Sequence, residues 1–346
     1  MGVVGYGVIG RRVADAIQRQ SDMELMGVAD VAADWRIAQA AGRGIALFAA
    51  ADDARPAMEQ AGLKVSGSLE VLVNASEIVV DCTPKHRGAA NAGLYRQIGR
   101  PFIVQGGEKH EVAGHSFVAD SSYAGAVGRQ ATRVVSCNTT SIVRTLGALK
   151  RAGLLLKARG TLLRRATDPW ESHLNGIINT LVPEPQLPSH QGPDAQLVDP
   201  ELDVVTIAIQ VPETLGHLHA WSVELTREAT KEEVLAAFSQ SSRILLIDTR
   251  TGLSAINAVK EWMSDSGRPN ANLYEVALWS DLLTVRGREL FYCYMVDNQA
   301  IVIPETIDAI RALAGRERDP RASMAATNGT LGIGALHVPQ WSGPDD

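Results

Sequence analysis

Residues 3–17, VVGYGVIGRRVADAI, join a short valine run to a glycine-rich turn and then to a helical pattern. Apolar side chains recur at Ile9, Val13 and Ile17, the spacing that places them on one face of a helix. The turn, GYGVIG at 5–10, has the G-x-G-x-x-G spacing, with a strand directly before it and a helix directly after it. This stretch predicts a βα unit that opens a dinucleotide-binding domain.

The glycines of this turn have separate physical roles. Gly5 permits the tight turn, Gly7 lets the backbone approach a pyrophosphate, and Gly10 lets the helix pack closely on the strand. Asp30 ends the next strand, where a carboxylate hydrogen-bonds a ribose 2′-hydroxyl and repels a 2′-phosphate. We therefore expect NAD as the preferred cofactor, with NADP possible. Three arginines nearby could soften that preference: Arg11, Arg12 and Arg36.

The composition limits the classes of function. The chain has 346 residues, more than one core usually holds, so two domains are expected. A net charge of −6 is poorly suited to nucleic acid or an anionic membrane surface, since both attract basic patches. No run of 18 apolar residues and no signal-peptide pattern occurs, and the three scattered cysteines predict neither a disulfide framework nor a metal site. We expect a cytoplasmic protein with free thiols and no metal, nucleic-acid or membrane partner.

The pattern of strands changes along the chain. In residues 1–136, short valine- and isoleucine-rich runs alternate with helical patterns, which predicts a Rossmann-type parallel sheet. After residue 150, longer strands alternate in residue type, which predicts an α+β domain with a mostly antiparallel sheet. The expected fold is therefore α/β, with a nucleotide-binding domain followed by an α+β domain and with an unstructured tail at 335–346.

The stretch VVSCNTT, residues 134–140, places a cysteine where a strand gives way to a helix. Cys137 would lie at the positive end of that helix, where backbone N–H groups favour a thiolate. The alternative is a small buried side chain, which is the commoner role of a free cysteine.

Seven motifs resemble, in order and spacing, the archaeal-type (class II) phosphorylating glyceraldehyde-3-phosphate dehydrogenases. They are GYGVIGRRVADAI, DCTP, QGGEK, VVSCNTT, RRATDP, PSHQGPD and IPETIDAIRA. The resemblance implies reversible oxidation of D-glyceraldehyde 3-phosphate, with inorganic phosphate and NAD(P), to 1,3-bisphosphoglycerate through a cysteine thioester. It also implies a homotetramer. It further implies that a final segment, 303–334, returns to the nucleotide-binding domain, which leaves 137–302 as the catalytic domain.

The resemblance assigns roles to particular residues. Cys137 matches the nucleophile. The positions that match substrate contacts are Ser136, Asn138, His190 and Gln191. The positions that match contacts to NAD(P) are Val8, Ile9, Gly107, Arg165 and Asn298.

The catalytic base should be a histidine, whose pKa lies near working pH. His217 and His219 lie in TLGHLHAWSVEL, and strand alternation places both on one face. At most one of them need be functional, and either could instead be a satisfied core residue. The resemblance points to this H-x-H segment and favours His217.

Two positions depart from the family pattern and keep alternatives open. Gln191 stands where a second histidine is usual, and Asn298 stands where a glutamine is usual. One alternative is a related dehydrogenase acting on another acyl phosphate or semialdehyde. The other is an NAD-binding sensor that has lost catalysis.

Overall fold

The computed structural model describes residues 1–166 and 181–343, and within these no helix is both long and apolar enough to span a membrane. Contacts within the chain define two compact units, which are described separately below. The first comprises Met1–Ser136 and Ile303–Leu331, and the second comprises Cys137–Val302 and residues 332–343.

The first unit is built on an eight-stranded sheet in which every paired neighbour is parallel. Its strands are β1 (Gly2–Val4), β2 (Gly27–Asp30), β3 (Leu47–Ala49), β4 (Val65–Ser68), β5 (Val79–Asp81), β6 (Phe102–Gln105), β7 (Ser116–Phe117) and β8 (Ala131–Val134). The strand order is β4-β3-β2-β1-β5-β6-β8-β7. The chain places β2 to β4 on one side of β1 and the later strands on the other side. This is the doubly wound arrangement, in which ligands bind at the carboxyl ends of the strands beside the point of reversal. The predicted Rossmann-type sheet is confirmed.

Helices connect these parallel strands, as parallel strands require. They are α1 (Val8–Gln18), α2 (Trp35–Gly42), α3 (Arg55–Gln60), α4 (Leu69–Ala75), α5 (Arg87–Ile98), α6 (His110–Ala113) and α7 (Ala119–Ala126). The central strands are apolar on both faces, and Val3, Val4, Val79 and Val80 are fully buried. Burial on both faces explains why these strands read as continuous valine runs.

The second unit contains a mixed sheet. Its strands are β9 (Leu155–Arg165), β10 (Val182–Pro183), β11 (Val204–Val211), β12 (His217–Leu225), β13 (Ile244–Ile247), β14 (Val276–Trp279), β15 (Thr284–Arg286) and β16 (Glu289–Val296). The order is β10-β11-β9-β12-β16-β14-β13, with β15 on β16. The sheet is mostly antiparallel, as predicted, but β11 runs parallel to β9 and β13 parallel to β14.

Four α-helices of the second unit pack with this sheet or with one another: α8 (Cys137–Arg151), α9 (Gln191–Gln196), α10 (Lys231–Ser239) and α11 (Ile256–Asp265). Short 3₁₀ helices lie at Thr249–Thr251 and Pro269–Ala271. In α8, residues 138–149 are all buried, although the first turn is polar. Buried polar groups need partners, so this helix start carries hydrogen bonds instead of apolar packing alone.

The chain then forms α12 (Val302–Ala314) and α13 (Pro320–Leu331). The Glu305 carboxylate accepts a hydrogen bond of 2.6 Å from the backbone N–H of Ala119, which ties α12 to the first unit. The segment at 332–343 has no helix or strand, but Leu336 and Val338 pack against the apolar core of the second unit. These two side chains of the predicted tail, 335–346, therefore contact the second unit.

Candidate functional site

Helix α8 begins at Cys137, so the polar residues that follow the cysteine lie inside its first turn. Serine, threonine and asparagine are residues that commonly cap helix N-termini. Their side chains instead bond other groups of the second unit: Thr139 Oγ1 donates to the Asp194 carboxylate at 2.7 Å, and Ser141 Oγ donates to the Asn138 carbonyl at 2.8 Å. These contacts order the helix start around the half-buried Cys137 side chain.

The imidazole of His217 lies beside the Cys137 thiol. Its Nε2 lies 3.3 Å from Cys137 Sγ. His217 is the first residue of β12 and is 4% exposed. On the other side of the ring, Nδ1 accepts a hydrogen bond of 3.0 Å from the backbone N–H of Arg165, the last residue of β9. Two neighbouring strands therefore hold the ring against the sulfur.

Burial dominates the titration of this pair. It raises the pKa of the Cys137 thiol to about 11, although the charges of Arg165 and Arg164 and the backbone N–H groups of Asn138 and Cys137 act in the opposite direction. Burial also lowers the pKa of His217 well below its usual value. The charges of His219, Arg165 and Arg164 lower it further, whereas a hydrogen bond with the Gly216 backbone raises it. Both shifts favour the uncharged form of the group concerned. Burial thus opposes the thiolate, whereas the helix terminus favours it, as the sequence predicts.

His219 has different partners. Its Nε2 lies 2.9 Å from the side-chain oxygen of Asn138, and its Nδ1 lies 2.9 Å from the hydroxyl of Tyr294. The Tyr294 hydroxyl oxygen is also 3.2 Å from Ser141 Oγ. The ring is fully buried, and burial lowers the pKa of His219 to about 3. Of the two candidate histidines, His217 thus contacts the cysteine, and His219 contacts Asn138, the residue after it.

The predicted substrate pair lies at the start of α9. His190 precedes the helix and is exposed, whereas Gln191 is 1% exposed. Neither amide atom of Gln191 has a hydrogen-bond partner among the described residues, and the same holds for the hydroxyl of Thr140. Gln191 is one turn before Asp194, so both lie on the face of α9 that meets the first turn of α8. Buried polar atoms without partners are costly, and they occur here where the sequence predicts substrate binding.

The glycine turn of the first unit has the geometry of a phosphate cradle. Gly5 has φ +85°, and a Cβ on Gly10 would lie 1.8 Å from the Gly5 carbonyl oxygen, so larger residues are excluded at both positions. Gly7 precedes α1 and supplies no side-chain cap, which leaves the first-turn N–H groups of Val8 and Ile9 directed to the turn. The predicted Gly107 is exposed in the loop after β6.

Asp30 closes this turn. One carboxylate oxygen accepts the Tyr6 backbone N–H at 2.6 Å, and the other accepts the N–H groups of Val31 and Ala32 at 2.8 and 2.9 Å. The sequence predicts contact with a ribose, and the structure adds that the carboxylate fixes the glycine turn to the end of β2.

Positive charge also lies at this turn. The Arg36 guanidinium, paired with Asp34 at 2.5 Å, would lie 4.0 Å from a Cβ on Gly7. Arg11 lies over the ring of the exposed Trp35, 5.1 Å from its centroid.

The remaining predicted positions are divided between the units. Ser136 is half-buried and is the last residue of the first unit's N-terminal segment. Arg165 and Asn298 belong to the second unit. Within the described residues, no cluster of histidine, cysteine and carboxylate side chains is arranged to hold a metal ion.

Three groups that contact the site residues were not predicted from the sequence: the Arg165 backbone N–H, the Tyr294 hydroxyl and the Asp194 carboxylate. Tyr294 lies directly opposite His219 in the β12–β16 pairing. Strand β16 has the sequence ELFYCYMV, residues 289–296, and alternation shows which of its side chains share a face. Only the register of β16 against β12 identifies the side chain that meets His219.

A doubly wound sheet with a glycine turn, followed by a unit that pairs a cysteine with a histidine, defines a dinucleotide-dependent oxidoreductase. Residues 136–264 match the family described as glyceraldehyde 3-phosphate dehydrogenase, C-terminal domain. The chain is 42% identical over 332 residues to the glyceraldehyde-3-phosphate dehydrogenase of Methanosarcina mazei, covering 96% of this chain and 98% of the relative. It is 44% identical over 318 residues to that of Pyrobaculum calidifontis, covering 91% and 92%. The chain belongs to the glyceraldehyde-3-phosphate dehydrogenase family.

Proposed function

We propose that this protein oxidises D-glyceraldehyde 3-phosphate, with inorganic phosphate and NAD(P), to 1,3-bisphosphoglycerate, and that it also runs the reverse reaction. The observation that carries the proposal is the contact of 3.3 Å between Cys137 Sγ and His217 Nε2 at the start of α8. The family relationship supplies the substrate class, since relatives across more than 90% of the chain carry this enzyme's name.

The proposed chemistry begins at the cysteine. The sulfur adds to the aldehyde carbon, and oxidation of the adduct leaves a thioester on Cys137. Inorganic phosphate then attacks the thioester carbonyl, and the thiolate departs. A sulfur nucleophile suits this sequence because a thioester transfers its acyl group to phosphate more readily than an oxygen ester does.

Backbone groups support the negative charge that develops. The N–H groups of Cys137 and Asn138 lower the pKa of the thiol, so they face the sulfur at the positive end of α8. Fixed donors at this position also stabilise an oxyanion formed on the adjacent carbon, because they need no reorganisation during the reaction.

Recognition of the substrate is assigned to the polar groups around the helix start. We propose that Ser136, Asn138, His190 and Gln191 contact it. Support comes from Gln191, whose buried side-chain amide has no hydrogen-bond partner in the described part of the chain. Burying an amide without a hydrogen bond is unfavourable, and a bound substrate that hydrogen-bonds the amide would offset this free energy. Arg165 adds positive charge near Cys137, which suits a phosphorylated substrate.

The residues of the first unit fit a nicotinamide dinucleotide. Gly5, Gly7 and Gly10 form a cradle that side chains would fill, and the first-turn N–H groups of α1 suit a pyrophosphate. When bound, the nicotinamide accepts the hydride. Val8, Ile9 and Gly107 are proposed contacts in this unit, and Arg165 and Asn298 are proposed contacts from the second unit.

We propose that NAD is the preferred cofactor and that NADP is also used. The Asp30 carboxylate carries negative charge at the end of β2, where a 2′-phosphate would have to lie. Arg11 and Arg36 reduce this repulsion without removing it, since Arg36 is already paired with Asp34. By family resemblance we further propose that the protein is a cytoplasmic homotetramer.

The test is reduction of NAD, and separately of NADP, by the purified protein given D-glyceraldehyde 3-phosphate with and without inorganic phosphate. We expect phosphate-dependent turnover, faster with NAD, that is absent from a Cys137→Ser variant. Turnover with aspartyl or glutamyl semialdehyde alone would assign a different substrate. Binding of nucleotide without turnover of any of these aldehydes would indicate a sensor.

A further inference from the structure

Three consecutive basic residues form the turn between β5 and α5: Lys85, His86 and Arg87, here called the basic turn. All three side chains are exposed, and none of them forms an ion pair or a hydrogen bond with another of the described residues. The chain as a whole carries a net charge of −6, so the two cations of this turn are a local excess of positive charge. Such an excess in an acidic protein attracts an anionic ligand.

The basic turn lies between two segments that are proposed to bind the dinucleotide. A Cβ on Gly5 would lie 2.8 Å from the backbone nitrogen of Thr83, so the glycine turn touches the start of the β5–α5 connection. A Cβ on Gly107 would lie 3.6 Å from the Cβ of Lys85. The flexible stem of Lys85 therefore starts beside one cofactor segment and two residues along the chain from the other.

The N-terminus of α5 does not itself supply the attraction. Two buried carboxylates face its first turn, because a Cβ on Gly88 would lie 3.2 Å from Glu108 Oε1 and 3.4 Å from Asp81 Oδ1. These groups already place negative charge where the helix dipole favours an anion. A bound phosphate would therefore be held by the side chains of the basic turn, on their exposed side.

The backbone of the basic turn is strained. His86 has φ +74°, in the left-handed region that glycine adopts without steric cost, and its side chain makes no hydrogen bond that caps α5. Strained residues of this kind cluster at ligand-binding sites, where the surrounding structure maintains them. The strain therefore agrees with a binding role for the turn.

We propose that the basic turn is a phosphate-binding element of the dinucleotide site, in which Lys85 contacts the pyrophosphate of the cofactor and Arg87 adds attraction from the rim. The inference rests on the proposed use of NAD(P). An ammonium group binds phosphate oxygens through charge-assisted hydrogen bonds. Because the pyrophosphate is common to both cofactors, Lys85 strengthens the binding of NAD and of NADP alike.

A purely structural role gives a different expectation. If the cations only offset the charge of the buried Asp81 and Glu108, their removal would lower Tm and leave nucleotide affinity unchanged. In the described part of the chain, no ion pair joins either carboxylate to the basic turn. Asp81 instead accepts hydrogen bonds from Thr83, Asn91 and Tyr95. Affinity and stability measured in the same variants therefore separate the two roles.

The experiment is titration calorimetry of NAD, and separately of ADP-ribose, into the purified whole chain without substrate. Lys85→Gln should weaken both ligands about fivefold, the size expected for an exposed charge contact. Lys85→Arg keeps the charge and should bind both ligands within about twofold of the native protein. Adding Arg87→Gln to Lys85→Gln should bring the loss to about tenfold, with a weaker dependence of affinity on salt concentration.

The matched control is Lys64→Gln. Lys64 is also an exposed lysine of the first unit, but it precedes β4, at the amino ends of the strands and away from the ends that bind nucleotides. This variant should bind NAD and ADP-ribose as the native protein does. Equal losses of affinity in Lys64→Gln and Lys85→Gln would overturn the proposal, because only the overall charge would then matter.

Two further outcomes would also overturn it. One is unchanged affinity for both ligands in Lys85→Gln, and a lower Tm in that variant would then assign the structural role. The other is weaker binding of NAD with ADP-ribose unaffected, because this would place Lys85 at the nicotinamide and not at the pyrophosphate. Failure of the native protein to bind NAD and NADP would instead refute the proposed function together with this inference.

Discussion

Tyr292 and Tyr294 lie two residues apart on β16, share one face of the sheet and stack on each other, with ring centroids 6.0 Å apart. Both are buried, yet their hydroxyls differ. The Tyr294 hydroxyl bonds His219 Nδ1 at 2.9 Å and Ser141 Oγ at 3.2 Å. The Tyr292 hydroxyl has no hydrogen-bond partner among the described residues. The same substitution to phenylalanine should therefore have different effects at the two positions.

Tyr294→Phe should destabilise the second unit. It leaves His219 Nδ1, a fully buried acceptor, without a donor, and an unsatisfied buried group costs about 1–3 kcal/mol. For a unit of this size, that corresponds to a fall in Tm of roughly 2–12 °C. Tyr292→Phe removes a hydroxyl that is desolvated without compensation, so it should be neutral or slightly stabilising.

Both variants are compared with the native protein by thermal unfolding at pH 7 and by steady-state kinetics. We expect only Tyr294→Phe to lower kcat/KM, by about tenfold, because His219 orients the side chain of Asn138 beside the nucleophile. Equal Tm values for the two variants would refute the assignment of the hydrogen bonds. A loss of stability without any loss of activity would show that the Ser141–Tyr294–His219–Asn138 chain is structural only.

Three further perturbations test other parts of the molecule. Gln191→Leu should raise KM for the triose phosphate about tenfold, because it removes the proposed substrate contact, and an unchanged KM would exclude that contact. Its Tm should be unchanged or higher, because the substitution removes a buried amide that has no hydrogen-bond partner among the described residues. Asp30→Asn should shift the ratio of kcat/KM for NADP to that for NAD upwards by about tenfold, and an unchanged ratio would assign the carboxylate only to the glycine turn. Because burial lowers the pKa of His219 to about 3, the unfolded chain binds the extra proton first as the pH falls below 6.5. This residue's contribution to stability is therefore complete above pH 6.5 and about 2 kcal/mol smaller at pH 5. Burial also lowers the pKa of His115 and of His217, so both the native protein and His219→Gln should lose stability at pH 5. Urea unfolding at the two pH values should show a loss about 2 kcal/mol smaller in His219→Gln than in the native protein, and an equal loss would refute the contribution of His219.

Much of the fold follows from local sequence patterns. The valine runs around GYGVIG, the helical spacing after it and the repeated alternation of strands and helices predicted the parallel sheet that the structure shows. These predictions succeed because periodicity reflects which faces are buried, and Gly5 and Gly10 are required by backbone geometry that no other residue satisfies. The capping box at Thr230 and Glu233 is a further local signal, and both of its hydrogen bonds are formed.

The site was predicted only to the level of candidates. Sequence identified Cys137 and two histidines on one strand face. Strand alternation could not distinguish the histidines, because side chains two residues apart on a strand point the same way, and only the family resemblance favoured His217. The distinction arises from what lies opposite each one. Tyr294 faces His219 in the strand pairing, whereas His217 lies where β9 has run past its partner.

The sequence by itself determined the elements, their order, the glycine turn and the residue types available for chemistry. Tertiary structure decided which histidine meets the sulfur, which amide is left without a partner, and how far burial opposes ionisation of the thiol. The physical reason is that hydrogen-bond partners and desolvation depend on groups far apart in the chain: Cys137 and His217 are 80 residues apart, and His219 and Tyr294 are 75 apart. The spacing of residues along the chain does not show which of them come into contact, because that depends on the register between the paired strands.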